Sequence, residues 1–455
     1  MTWPNPRVVA AVAALLVLAL GLRVAEVQRT SYRPRNDAGT YLTLASNIAH
    51  TGDYWNSHVR GGAGGTRGPT AYFPPAFPYF LAGIDLLDGH ISRRGPVIHP
   101  ARLSQAVLGT IVVGLIGLVA LEAFGGTVAL IALALAAVYP VLIDLSATIV
   151  AENLLTALIL LAVWAALRTR RAPRRYAWSA AAGLFAGLAT LTHQNAALIA
   201  LPLAIAVWTG PPRRTARAFA APLLLLAITA ITVAPWTIRN ADELHRFIPV
   251  SDETGITLRG TYNAFSAADR QIPYKWHLYV SIPQDRQLAH ESHHLTETEL
   301  SKRLTRQAFD YIGAHPLSPL EVTYHNTLRL LELEGSLAWR DSYAAIDLPP
   351  TSARVGVTSF WVLGLLAIAG AFTAIARRAP RWLWAVPLLV ALSVVLVNVE
   401  TPRFREPVEP FLIMLAACAV AVVIGRLHGS PVRRDLDPAP PARSAEPVEV
   451  IQRLA

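Results

Sequence analysis

Ten runs of apolar residues punctuate this chain, beginning near Val8, Ala101, Thr127, Thr148, Tyr176, Ala196, Ala218, Val355, Trp382 and Val408. A helix needs roughly 20 apolar residues to cross the hydrocarbon. Each run is read as one span, which predicts an all-α polytopic membrane protein of about 10 transmembrane helices. The run at Val8 to Leu22 follows Arg7 and is followed by no small-residue cleavage site, so it reads as a retained first span. Three arginine clusters set the sidedness: Arg168 to Arg175, Arg213 to Arg217, and Arg377 to Arg381. By the positive-inside rule all three are cytoplasmic. The span count satisfies this only if Tyr72 to Asp88 does not cross. That stretch holds Pro74, Pro75 and Pro78 and reads as an interfacial or re-entrant helix. Arg93 and Arg94 then fall outside, one breach of the rule rather than three. Two large outer loops result, 28–100 and 238–354, both carrying short interfacial helices. Residues 428–455 read as a disordered cytoplasmic tail, rich in Pro and charge without apolar periodicity. No internal repeat is visible.

Composition agrees with a membrane class. The chain of 455 residues is 53% hydrophobic and 15% charged, with a mean hydropathy of +0.39; soluble domains carry about 25% charged residues. The net charge of +10 lies largely in the short arginine clusters and is not a nucleic-acid footprint. The single cysteine, Cys418, excludes an intrachain disulfide framework. A leaning to Ala, and to Arg over Lys, hints at a GC-rich genome; the expected location is the plasma membrane of a bacterium.

The outer loops hold the candidate chemistry. Asn36-Asp37 opens a stretch in which Leu42, Ala45, Ile48 and Ala49 recur at helical spacing and Gly52 would stop the helix. Asp37 reads locally as an N-cap; at a wet mouth the same carboxylate can accept a proton. Gly61 to Gly68 reads as a flexible loop. Tyr72 and Phe73 suit either a sugar face or an interfacial aromatic belt. Glu152 sits in apolar sequence, costly unless paired or wet, with Asp144 a weaker candidate. His193 and Gln194 interrupt an apolar run. In the second outer loop Thr296 with Glu299, and Ser318 with Glu321, read as capping boxes opening two amphipathic helices, the second ending near Leu330. They would cover span ends or form a lid.

These motifs resemble one family in order and spacing. Asp37 before the Tyr41 helix, then Gly52-Asp53-Tyr54, then Tyr72-Phe73-Pro74-Pro75-Ala76-Phe77-Pro78, is similar to the first outer loop of the polyprenyl-phosphate-sugar-dependent glycosyltransferases. These are the glycosyltransferase 39/83 group of the GT-C superfamily, including protein O-mannosyltransferase and aminoarabinose transferase relatives. Tyr139-Pro140 through Glu152, Gly183 through Thr192-His193, Ala234-Pro235-Trp236 through Asn240, and Thr401-Pro402-Arg403-Phe404-Arg405-Glu406-Pro407 continue the resemblance along spans one to ten. It departs at Ala38, where many relatives have Glu, and at His193, where Arg is usual. It also departs at Tyr72-Phe73, where aminoarabinose transferases carry Glu-Lys, which argues against lipid A as substrate.

The resemblance implies a GT-C-like bundle (residues 1–427) and an inverting transfer of a monosaccharide from a polyprenyl-phosphate donor to an acceptor hydroxyl of a protein, lipid or glycan at the outer face. Asp37 would be the general base. Arg239, Arg403 and Arg405 are candidates for neutralising the lipid phosphate, against a reading as helix-end arginines. Tyr41, Tyr72, Glu152, His193, Asn240, Tyr262 and Asn263 complete the candidate substrate contacts. No His/Cys/acid spacing marks a metal site; a weak divalent-cation site using carboxylates and His193 stays open. A transporter or flippase of polyprenyl-linked sugars is the rival, and should show charges deep in the spans, paired broken helices or repeats. A scaffold subunit is the third reading.

Overall fold

The computed structural model describes residues 5–56, 68–88, 97–169, 174–208 and 216–427. The expected flexible loop at Gly61 to Gly68 (bar Gly68 itself), the arginines at 93 and 94, and the tail 428–455 lie outside the described residues.

A helix forms within each of the ten apolar runs, but they differ in length. Pro6–Arg29, Ile98–Phe124, Glu152–Thr169, Arg217–Leu244, Pro350–Ala371 and Glu409–Leu427 are long and apolar enough to cross a membrane. Gly126–Val138, Gln194–Val207 and Arg381–Val395 are shorter apolar helices. Arg175–Thr192 has 18 residues. The Pro-broken stretch forms a helix only over Ala76–Asp88, 13 residues, about 20 Å at 1.5 Å per residue.

The bundle is built on close approach of small residues. A Cβ added at Gly370 would stand 1.8 Å from the Leu415 carbonyl oxygen, and one at Gly183 would stand 2.4 Å from that of Leu225. Bare backbone at these points lets Pro350–Ala371 lie against Glu409–Leu427, and Arg175–Thr192 against Ala220–Leu244. The core between them is alanine-rich, with Ala132, Ala136, Ala162, Ala186, Ala416 and Ala417 fully buried.

The first large loop carries the helix Asn36–Thr51, which Gly52 ends in the left-handed conformation (φ 80°), its N–H bonded to the Ile48 carbonyl. A two-residue antiparallel ladder, Trp55–Asn56 on Gly68–Pro69, follows. The second large loop holds more helix than the two segments expected: Thr254–Thr261, Ala264–Ala267, Arg286–Glu291, Glu297–Ala314, Ser318–Leu330 and Ser336–Ala345. The Thr296–Glu299 capping box forms in both directions. The box expected at Ser318 does not. Leu317 is the cap residue there and makes no side-chain bond, and the Ser318 hydroxyl is buried inside the first turn.

The two loops clasp each other. The Glu297 carboxylate accepts the Thr70 hydroxyl at 2.5 Å and the Ala71 N–H at 2.8 Å. Asp252 N–H donates to the Ala71 carbonyl (2.9 Å), and the Ser251 hydroxyl to that of Tyr72 (2.7 Å). Burial pushes the Glu297 carboxyl up to about 7, against the pull of these two donors.

Candidate active site

A cavity of about 560 Å³ opens between the two large loops and the ends of the bundle helices. Of the residues singled out by sequence, Asp37, Tyr41, Tyr72, Glu152, His193 and Arg403 line it.

Arg403 is its electrostatic centre. It begins a single 3-10 turn, Arg403–Arg405, ahead of the last long helix. Its Nη1 donates to Asp37 Oδ2 at 2.6 Å and its Nη2 to Glu400 Oε2 at 2.9 Å. Its Nε stands 3.9 Å from Glu152 Oε1. The guanidinium lies 4.5 Å from the Phe404 ring centre, the i+1 residue bracing its stem. Three carboxylates from three separate segments thus share one cation.

Asp37 is not the helix cap its local sequence suggests. Arg35 takes the cap position without a side-chain bond, and Asn36 starts the helix at φ 48°, its side-chain amide donating to the Ala345 carbonyl at 3.1 Å. Asp37 falls inside the first turn, where the helix dipole still favours an anion. Its carboxylate points to Arg403 because an ion-paired hydrogen bond outweighs a backbone cap. The side chain keeps 36% of its surface exposed, against 4% for Glu152.

The aromatic candidates serve as walls. Tyr41 is buried against Phe73 and Phe77, at ring separations of 4.5 and 4.9 Å. Tyr72 packs edge-on to Phe73 at 4.7 Å. His193 caps the C-terminus of Arg175–Thr192, its N–H on the Ala189 carbonyl, with its ring 6.2 Å from Phe404.

Five candidates lie outside the cavity. Arg239 donates to the Thr70 and Tyr54 carbonyls at 2.7 and 2.9 Å and packs over Trp236, pinning the first large loop to the bundle. Asn240 is buried and donates to the Ile248 carbonyl. The Tyr262 hydroxyl donates to the Leu396 carbonyl. Asn263 caps Ala264–Ala267 and ties back to the Arg259 and Gly260 carbonyls. Arg405 is fully buried, at 2.8 Å from both Glu332 and Glu409 and over the Phe360 ring. Asp144, buried in Pro140–Leu145, is likewise not in the cavity wall.

The cavity also holds residues the sequence did not announce. Glu253 precedes the helix Thr254–Thr261 and faces inward. Burial, and then the nearby Asp37 charge, push its carboxyl up to about 8, and Arg403 pulls it back only in part. Lys275 and Asp341 pair across the wall at 2.6 Å. Glu400 had one usable signal, its i,i+3 spacing to Arg403 on a tight turn. Glu253 had none, since only the folded second loop brings it to Asp37. Among the described residues, no three His, Cys, Asp or Glu side chains converge as metal ligands would.

A family model described as dolichyl-phosphate-mannose-protein mannosyltransferase matches residues 73–238. No curated protein matches. Solved structures do. The archaeal oligosaccharyltransferase AglB from Archaeoglobus fulgidus, in complex with an inhibitory peptide and a dolichol-phosphate, superposes with a TM-score of 0.54 at 13% identity, over 92% of this chain and 51% of that one. The Archaeoglobus fulgidus oligosaccharyltransferase tethered with an acceptor peptide gives 0.55 at 14%, over 93% and 50%. ArnT from Cupriavidus metallidurans bound to undecaprenyl phosphate gives 0.38 at 16%, over 93% and 79%. This chain spans about half the length of the oligosaccharyltransferase chains it matches. Family match and architecture agree: this is a multi-pass membrane protein with the fold of the GT-C glycosyltransferase superfamily.

Proposed function

We propose that the protein moves a monosaccharide, with inversion, from a polyprenyl-phosphate donor to an acceptor hydroxyl at the outer face of the membrane. The observation that carries this reading is the direct contact of Asp37 with Arg403 in one cavity between the outer loops. Such a pair supplies the two functions the reaction needs. A carboxylate takes the acceptor proton. A guanidinium neutralises the charge that grows on the departing phosphate. A phosphate is a good leaving group, so charge neutralisation matters more than acid assistance.

The outer-face assignment rests on the arginine clusters, and the monosaccharide on the cavity's size, which lies within the usual range for small-ligand sites of about 300–1,000 Å³. Tyr41, Tyr72 and His193 would wall the sugar. The acceptor would be a protein, lipid or glycan hydroxyl. The test uses purified protein and a panel of radiolabelled polyprenyl-phosphate sugars, comparing wild type with Asp37→Asn. Loss of a general base should lower turnover by about 10²–10⁴-fold. Turnover unchanged by that substitution removes Asp37 from the role.

A further inference from the structure

Asp37 and the donor's phosphate need the same partner. Asp37 Oδ2 accepts from Arg403 Nη1 at 2.6 Å, and Glu400 holds Nη2 at 2.9 Å. The other cations lining the cavity are engaged elsewhere: Lys275 with Asp341 at 2.6 Å, and Arg35 near Asp347 at 3.7 Å. Arg403 is also the most enclosed of the three, its side chain 13% exposed against 33% for Lys275 and 67% for Arg35. A phosphate reaching the reaction centre therefore meets a guanidinium whose Nη1 donates to the base and whose Nη2 donates to Glu400, while Nε, without a hydrogen bond, is buried towards Glu152 at 3.9 Å.

We infer that Arg403 is a counter-ion exchanged between Asp37 and the donor phosphate, so that donor binding releases the base and the recharged base expels the product. This rests on the transfer reading above and adds an order of events to it.

The charge balance of the step fits one shared cation. The donor enters as a phosphodiester monoanion and draws Nη1 of Arg403 from Asp37. Asp37, ionised and freed, takes the proton of the acceptor hydroxyl. The acceptor oxygen forms its bond to the anomeric carbon. The bond from that carbon to the phosphate oxygen breaks, and its electron pair stays on the phosphate, now a monoester dianion. One negative charge has moved from Asp37 to the phosphate, and Asp37 is neutral. Arg403 is then held by the dianion without competition from Asp37, a contact stronger after bond breaking than before it. An interaction of that kind accelerates the step rather than merely tightening binding. When Asp37 loses its proton it reclaims Arg403 and weakens the hold on polyprenyl phosphate. Asp37 can make the exchange by rotating its side chain, since it already keeps 36% of its surface in the open cavity.

The test is equilibrium binding of undecaprenyl phosphate to the detergent-purified full chain. Asp37→Asn keeps the shape and removes the competing charge. It should bind the lipid about tenfold or more tightly than wild type, the scale of one charge-assisted hydrogen bond. The same gain should be absent in an Arg403→Met background. If that variant does not survive purification, Arg403→Lys, which keeps charge but loses the forked geometry, must at least shrink it. Equal or weaker binding by Asp37→Asn overturns the exchange while leaving the transfer reading standing, provided wild type turns over. Turnover without a detectable lipid-phosphate affinity in either protein overturns the exchange as well. Neither turnover nor binding in wild type overturns both.

Discussion

Arg405→Met separates two readings of the Pro402-to-Pro407 motif. The Arg405 side chain is 2% exposed and its acidic partners Glu332 and Glu409 are 1% and 0% exposed. It also donates to the Leu330 carbonyl at 3.0 Å and packs 3.6 Å from the Phe360 ring centre. These contacts tie the second large loop to the start of the last long helix. Removing one member of a buried ion pair costs about 3–5 kcal/mol, because the partner charge is left unsolvated. Here two carboxylates are stranded, so the upper end applies, and the folded-to-unfolded ratio falls by roughly 10³-fold or more at 1.4 kcal/mol per decade. The assay is heat-step unfolding in detergent, read as the fraction surviving size exclusion. Arg405→Met should unfold well below wild type. Adding Glu332→Gln and Glu409→Gln should recover part of the loss, since neutral amides strand no charge. If Arg405→Met survives heating like wild type yet fails to bind undecaprenyl phosphate, the argument is wrong and Arg405 belongs to the donor site.

Two further outcomes follow from other parts of the molecule. The Glu253 carboxyl is raised from its ordinary 4.5 to about 8, so the folded state holds its proton more tightly than the unfolded chain. Its contribution to stability is complete below about pH 4.5 and is lost as pH rises through about 8. Wild type should therefore lose thermal stability between about pH 5 and 8 relative to Glu253→Gln and level off above that, and parallel profiles would refute the assignment. Gly370→Ala places a Cβ 1.8 Å from the Leu415 carbonyl oxygen, whereas one at Gly364 on the same helix meets nothing within 4 Å. Overpacking of this kind costs about 1–3 kcal/mol, so Gly370→Ala should lower the melting temperature and Gly364→Ala should not.

The bundle was legible because lipid imposes one rule on every span: apolar length. All ten runs contain helix, and six of those helices are long and apolar enough to cross a membrane. Loop chemistry was harder to read. Asp37 followed by helical spacing looks like a cap, and locally nothing argues otherwise. What overrides it is Arg403, 366 positions along the chain. Glu253 was invisible for the same reason, because a glutamate before a short polar helix is ordinary until the clasp of Glu297 on Thr70 and Ala71 brings the two loops together. Arg239 and Asn240 follow a recognisable Pro-Trp exit from a span, and that motif encodes attachment of the first loop through the Tyr54 and Thr70 carbonyls, not contact with the cavity.

The pair Arg403 and Arg405 shows where motif reading stops. Both arginines sit in one 3-10 turn, and at about three residues per turn side chains two apart point roughly 120° from each other. One therefore reaches Asp37, Glu152 and Glu400, and the other Glu332 and Glu409. The motif contains no information on which is which. Burial does. Arg405 is matched by two carboxylates and sealed from solvent, so no anion can reach it without breaking the fold. Arg403 is matched by more acid than one cation can neutralise, and the least buried of its three carboxylates, Asp37, faces open cavity. An over-subscribed cation beside a partly exposed acid can change partners at low cost, whereas one sealed among its partners cannot. That difference in enclosure, not residue type, is what separates the arginine open to a new partner from the one that holds the loops in place.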